Sequence, residues 1–154
     1  LGRAPVIEEE EGAVFESAAI CLHLADLHPE AALLAAPGTH ERALHYQWSF
    51  YAMTELEAPL VDTARQLWKD EGEPDATIIE SAQARFARAA QVVEAALERT
   101  DHLVSERFSV ADLIVGAVLA FARTAELADV SPGLVPSLDR LEARPARQRA
   151  LAVA

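Results

Sequence analysis

The sequence predicts a mainly α protein, α+β overall only because a short β-hairpin opens it. Three observations carry this expectation. Alanine dominates a hydrophobic fraction of 51%, and alanine is the strongest helix former. Strand-type runs are nearly confined to the first fifteen residues. Phe108 to Phe121, FSVADLIVGAVLAF, is an apolar stretch with a helix start written at its head.

That stretch is the expected core. Ser109 stands where an N-cap belongs and Asp112 falls three residues later, so hydroxyl and carboxylate can satisfy reciprocal backbone N–H groups that the helix leaves free. Phe108, just before the cap, is placed to pack on Leu113 as a hydrophobic staple. From Val110 to Phe121 only Asp112 is charged. A helix apolar on nearly every side lies inside a bundle.

The other elements follow in order. Ala4-Pro5-Val6-Ile7 and Ala13-Val14-Phe15 read as strands joined by the acidic run Glu8 to Glu11 and closed by Gly12, which supplies a positive φ. Pro5 cannot donate to a ladder and belongs at an edge, a strand start or a cis turn. An isolated hairpin is marginal in water and needs further strands or a helix to cover it. Glu16-Ser17 opens a helix that Ser17 is able to cap, with Ile20, Leu24 and Leu27 at helical spacing, and His28-Pro29 ends it.

Residues 30–39, with Pro37 and Gly38, read as a linker. A long helical tract runs from Thr39 or His40 to about Lys69 and must bend at Pro59. Asp75 caps a second tract, Ala76 to about Arg99, with Ile79, Phe86, Val93 and Leu97 on its apolar face. Beyond the core helix, Ser131-Pro132-Gly133 makes a turn, Val135 to Ala143 a short helix, and Arg144-Pro145 begins a last one.

Composition narrows the function. A formal net charge of −12, with one lysine, leaves no basic stripe for nucleic acid and disfavours anionic membrane surfaces. No apolar run approaches the roughly 20 residues that span a bilayer. Cys21 is the only cysteine, which makes a reducing, cytoplasmic setting the default, and on the apolar side of its helix it is expected to be buried and inert. Histidines 23, 28, 40, 45 and 102 form no metal pattern, and no phosphate loop or nucleophile elbow is present. The first residue is Leu1, which is expected to mean that an upstream segment exists.

The Ala4-Pro5 hairpin with its acidic turn, Glu16-Ser17 and the short helix behind them, followed by two helical tracts and a capped apolar helix, resemble the glutathione transferase family, bacterial type. The resemblance implies a partial thioredoxin-like domain at 1–29, an interdomain linker at 30–39, and an all-α bundle at 40–154. Ser109 and Asp112 are then folding residues. It also implies a cis bond before Pro5, the Ala4 backbone turned toward the cysteinyl unit of glutathione, and Arg3 reaching its glycyl carboxylate. Ser17 with its amide would take the α-carboxylate of the γ-glutamyl end, and Glu16 its ammonium. The residues agree, since a helix N-terminus offers free N–H groups and partial positive charge. Tyr46 and Tyr51, from the cluster with Trp48 and Phe50, would line the pocket for a second substrate, while Trp48 and Phe50 serve packing.

By this resemblance the protein binds glutathione and conjugates its thiolate to small electrophiles, a detoxification chemistry, as a homodimer. The activating Ser, Tyr or Cys would lie upstream of Leu1, so no catalytic residue is named within the chain. Two alternatives stand beside it: a non-catalytic interaction module of the kind found in certain translation-factor subunits, and a glutathione-dependent isomerase, reductase or dehalogenase on the same scaffold.

Overall fold

The computed structural model describes residues 4–152. Strands β1 (Val6–Glu9) and β2 (Gly12–Phe15) pair antiparallel, Val6 opposite Phe15 and Glu9 opposite Gly12. The connection is tighter than the sequence implied: Glu8 and Glu9 belong to the ladder, and only Glu10 and Glu11 turn. Gly12, at φ 138°, supplies the backbone conformation that lets so short a turn close.

Helix α1 (Ser17–Leu27) follows β2 with one intervening residue. Its expected apolar face is only partly realised. Ala18, Ile20 and Ala25 are buried, whereas Leu24 and Leu27 are 42% and 53% exposed. Leu22 packs against the core at its edge, which leaves Leu24 and Leu27 on the outer side.

Within the bundle, Thr39 caps α2 (His40–Tyr51), its hydroxyl accepting from the Arg42 N–H at 3.2 Å. A π-helical segment (Ala52–Glu57) joins α2 without a break to α3 (Ala58–Leu67). This is how the expected irregularity at Pro59 is absorbed. Proline can neither bond nor clear the carbonyl four residues earlier, which belongs to Glu55, and the backbone widens by one residue per turn there.

Asp75 caps α4 (Ala76–Leu97), accepting from the Thr77 and Ile78 N–H groups at 2.9 and 3.3 Å. The buried stripe of α4 is Ala82, Phe86, Ala89, Ala90 and Val93. Ile79 and Leu97, expected on that face, are half-buried at its two ends.

Helix α5 (Val110–Thr124) is the core, with nine buried residues among fifteen. Its cap forms: the Asp112 carboxylate accepts from the Ser109 N–H at 2.8 Å and from the Ser109 hydroxyl at 2.7 Å, and its other oxygen takes the Leu103 N–H at 2.8 Å. Phe108 packs against His102 and lies under Arg144, whose guanidinium carbon sits 3.5 Å from the ring centre. Two short helices, α6 (Val135–Glu142) and α7 (Pro145–Leu151), complete the bundle, with Leu138 and Leu141 of α6 buried where it packs on α5. Gly116 admits this contact, because a Cβ there would stand 2.6 Å from the Leu141 Cδ2.

The fold class is therefore mainly α with one two-stranded sheet. No helix among the described residues is long and apolar enough to cross a membrane.

Candidate functional site

The site is built where β2 gives way to α1. A strand-to-helix switch within one residue needs an unusual backbone, and Glu16 provides it at φ 72° and ψ 117°, a region that non-glycine residues rarely occupy. The Glu16 carbonyl already accepts the first helical bond, from the Ile20 N–H at 2.9 Å. Glu16 is therefore the N-cap, and Ser17 is the first helical residue rather than the cap expected from sequence.

No side chain caps α1 among the described residues, so its first N–H groups offer partial positive charge at this end. Glu16 and Ser17 are both exposed. Among the described residues the Ser17 hydroxyl has only the Met53 sulfur within reach, at 4.0 Å.

Upstream, the Ala4–Pro5 peptide is cis, and both residues are exposed. Arg3 lies outside the described residues.

Beside Ser17 opens a cleft of about 210 Å³. One wall is Ser17 and Cys21 on α1, a second is Met53 and Glu57 on the π segment, and the third is the face of α5 from Leu113 to Phe121. Cys21 is half-buried against this cleft rather than enclosed in the core, and burial pushes its thiol pKa up, which keeps it protonated and a poor nucleophile. The Glu57 carboxyl is also pushed up, first by burial and then by the negative charge of Glu16. Glu57 on the cleft wall and Glu16 at the head of α1 are thus within electrostatic reach of each other.

Neither Tyr46 nor Tyr51 lines this cleft. The Tyr46 hydroxyl accepts from Arg42 at 3.1 Å. Tyr51 stacks edge-on against Trp48 and donates to the Ala89 carbonyl at 3.1 Å, facing a different depression with Arg85 and Arg88. The reason is helical phase. Met53 and Glu57 are four apart and share a face, while Tyr51, two before Met53, points to the far side. Reading the spacing of Met53 and Glu57 against the α5 stripe was the signal that finds them. Trp48 is buried as packing predicts, but Phe50 is mostly exposed.

Among the described residues no three His, Cys, Asp or Glu side chains converge on a point that would hold a metal.

Comparison with known proteins shows the family. Residues 40–146 match the family model described as glutathione S-transferase, C-terminal domain. The chain belongs to the glutathione S-transferase family. Its fold superposes on a glutathione transferase of Methylococcus capsulatus with a TM-score of 0.85 at 30% identity, covering 99% of this chain and 73% of that one. BphK, a bacterial family member solved as a ternary complex, gives a TM-score of 0.85 at 25% identity, covering 99% of this chain and 74% of that one. Among curated relatives, glutathione S-transferase GstA of Escherichia coli O157:H7 is 27% identical over 97% of this chain and 73% of its own length. Elongation factor 1-gamma of Trypanosoma cruzi is 35% identical over 77% of this chain, which spans only 28% of that protein.

Proposed function

We propose that this protein binds glutathione and conjugates its sulfur to small electrophiles. The observation that carries the reading is Glu16: a carboxylate side chain at positive φ, placed so that the uncapped N-terminus of α1 and the Ser17 hydroxyl open beside an apolar cleft. Strained backbone of this kind costs about 1–3 kcal/mol and persists where function requires it.

In this reading residues 1–29 are the glutathione-binding half of a thioredoxin-like domain, 30–39 a linker and 40–154 the helical domain. The α-carboxylate of the γ-glutamyl end sits on the Ser17 amide and hydroxyl, where the helix dipole favours negative charge. The Glu16 carboxylate takes the neighbouring ammonium. Ala4, before the cis proline, meets the cysteinyl unit through its main chain, and Arg3 the glycyl carboxylate. The apolar wall of Met53 and α5 receives the electrophile. The thiolate sulfur then forms a bond to the electrophilic carbon, and either a halide leaves with its electron pair or, in an addition, the adjacent carbon takes up a proton. No group among the described residues is assigned the lowering of the thiol pKa. The assembly proposed is a homodimer.

Calorimetry of the full-length protein with glutathione, paired with a thiol-conjugation assay, tests this directly. Heat of binding with conjugate formed is the expected result. A second reading is favoured by the elongation factor 1-gamma relative: a transferase fold kept as an interaction module. Absence of binding heat selects it. Binding without conjugation selects an isomerase, reductase or dehalogenase on the same scaffold. Sedimentation is expected to give twice the chain mass, and a clean monomer removes the dimer.

A further inference from the structure

The seam between α2 and the start of α5 buries a polar face that has one unmet group. Arg42, His45 and Ser49 recur at helical spacing on α2, and all three are buried. The chain ahead of α2 bridges this seam: the Leu33 carbonyl accepts from the Val110 N–H at 2.9 Å, and the Ala35 carbonyl from the Arg42 Nε at 2.7 Å. Asp26 of α1 holds the same guanidinium through its terminal nitrogens. One arginine therefore fastens both α1 and the linker to the helix that carries His45.

His45 is 3% exposed, and its Nδ1 has no hydrogen-bond partner among the described residues. In the neutral ring that nitrogen can go without a proton, so only an acceptor lone pair is unmet. Protonation makes both ring nitrogens donors and leaves a buried, charged N–H with nothing to accept it. The surroundings give little relief. Arg42 on the same helix and Arg107 ahead of α5 oppose the new charge, while Asp112 of α5 and Glu41 favour it. Yet Glu41 is exposed to water, and Asp112 already accepts from the Leu103 and Ser109 N–H groups and the Ser109 hydroxyl, with the His102 Nδ1 3.7 Å away. Residues 31–38 carry no charged side chain, and Asp26 is paired with Arg42. Burial first, and Arg42 second, hold the ring below its ordinary pKa. Packing sets what gives way. In α1 only Ala18, Ile20 and Ala25 are buried, whereas α4 and α5 bury Phe86, Val93 and Leu119, so α1 and the linker are the least costly part to separate from α2.

We propose that His45 is an acid-operated latch: protonation of its ring parts Arg42 from Asp26 and Ala35, and α1 with residues 28–38 lifts from α2 while the helices of the bundle stay packed. His102 responds with the opposite sign, since its protonation strengthens the pair with Asp112. The latch does not depend on what the cleft binds.

Amide hydrogen exchange on the full-length protein, read by mass spectrometry and corrected for the intrinsic pH dependence of exchange, follows the opening from about pH 7.5 to about pH 5.5. Each pH unit below the unfolded histidine pKa favours the protonated, open form by up to roughly tenfold, so protection in α1 and residues 28–38 is expected to fall roughly fivefold to tenfold, with α4 unchanged. His45→Asn keeps a polar side chain that cannot titrate, and its α1 protection is expected to stay constant over the same range. In the wild type, the His45 ring resonances are expected to titrate with the same midpoint as the loss of α1 protection, a measurement that needs no variant to fold. The latch is overturned by an equal loss of protection in His45→Asn, by a loss that α4 shares, or by a ring that charges while α1 stays protected. Saturating glutathione is expected to restore α1 protection in acid, and this arm alone rests on the proposed binding. If glutathione changes nothing while His45 still governs exchange, the latch stands and only the binding reading fails.

Discussion

The guanidinium of Arg42 on α2 holds the carboxylate of Asp26 on α1 by two contacts of 2.5 and 3.1 Å, across a separation of sixteen residues. Arg42 is 5% exposed, and its Nε donates to the Ala35 carbonyl at 2.7 Å, so one side chain ties α1, the following loop and the bundle together. Helix α1 is thereby set relative to the cleft wall that α5 supplies.

Removing Asp26 leaves that guanidinium without its counter-ion. Loss of one partner of a fully buried pair costs about 3–5 kcal/mol, but the Asp26 side chain is half in water, so Asp26→Ala is expected to cost about 1–3 kcal/mol. Urea denaturation checks the value. The double variant Asp26→Ala/Arg42→Met is expected to recover part of the loss, since the stranded charge is gone, and purely additive effects would mean that the pair does not couple.

Asp112 makes a larger claim on stability than Ser109. Its carboxylate accepts two backbone N–H groups and one hydroxyl, so Asp112→Ala orphans the Leu103 and Ser109 amides at about 1.5–3 kcal/mol each. Ser109→Ala removes only the cap hydroxyl and is expected to cost about 0.5–2 kcal/mol. Equal losses in thermal or chemical denaturation would show that the carboxylate is not the hub.

These residues mark what sequence makes legible. The cap at Ser109 and Asp112 and the apolar run behind it are local patterns, and α5 followed from them. So did the helix start at Asp75 and the end of α1 at His28-Pro29. The pairing of Arg42 with Asp26 was not readable, because each is an unremarkable charge on its own helix and only the tertiary fold brings them together. Glu57 was hidden for the same reason. Met53 and Glu57 share a helical face, yet only the approach of α5 turns that face into a cleft wall, whereas Tyr51 faces a separate depression with Arg85 and Arg88. The π segment before Pro59 was foreseen as a bend but not as a widening, since sequence gives the unmet carbonyl and not how the backbone accommodates it.

Glu57 gives a pH dependence whose sign is fixed. Burial and the charge of Glu16 raise its folded pKa above the ordinary 4.5, so between that value and the raised one the folded state binds more protons than the unfolded. Its contribution is therefore lost as pH rises through that window. Glu57→Gln is expected to raise the melting temperature at pH 7, with the gain shrinking as pH falls and vanishing well below 4.5, where the wild-type carboxyl is neutral in both states. His45 has the opposite slope: burial, aided by Arg42, lowers its pKa below 6.5, so stability falls as pH drops through its unfolded value in wild type and variant alike. A Glu57→Gln gain that is flat with pH would place the carboxyl in water.

The positive φ of Glu16 sets stability against binding, and the two respond to one substitution in opposite directions. Glycine adopts φ 72° without a Cβ penalty, so Glu16→Gly releases about 1–2 kcal/mol of backbone strain, against which glycine's greater freedom in the unfolded chain costs about 0.5–1 kcal/mol. A small net rise in denaturation midpoint is expected. The same change removes the carboxylate proposed to meet the glutathione ammonium, a charge-assisted contact of about 1.5–3 kcal/mol, so affinity is expected to fall by roughly 10- to 100-fold. Ser17→Ala isolates the neighbouring contact. Its hydroxyl has only a distant sulfur within reach, so stability should stay within about 0.5 kcal/mol while glutathione affinity drops. A Glu16→Gly protein that is both more stable and equally good at binding glutathione would mean that the strained turn shapes the chain for some other purpose, and the ammonium contact would have to be withdrawn.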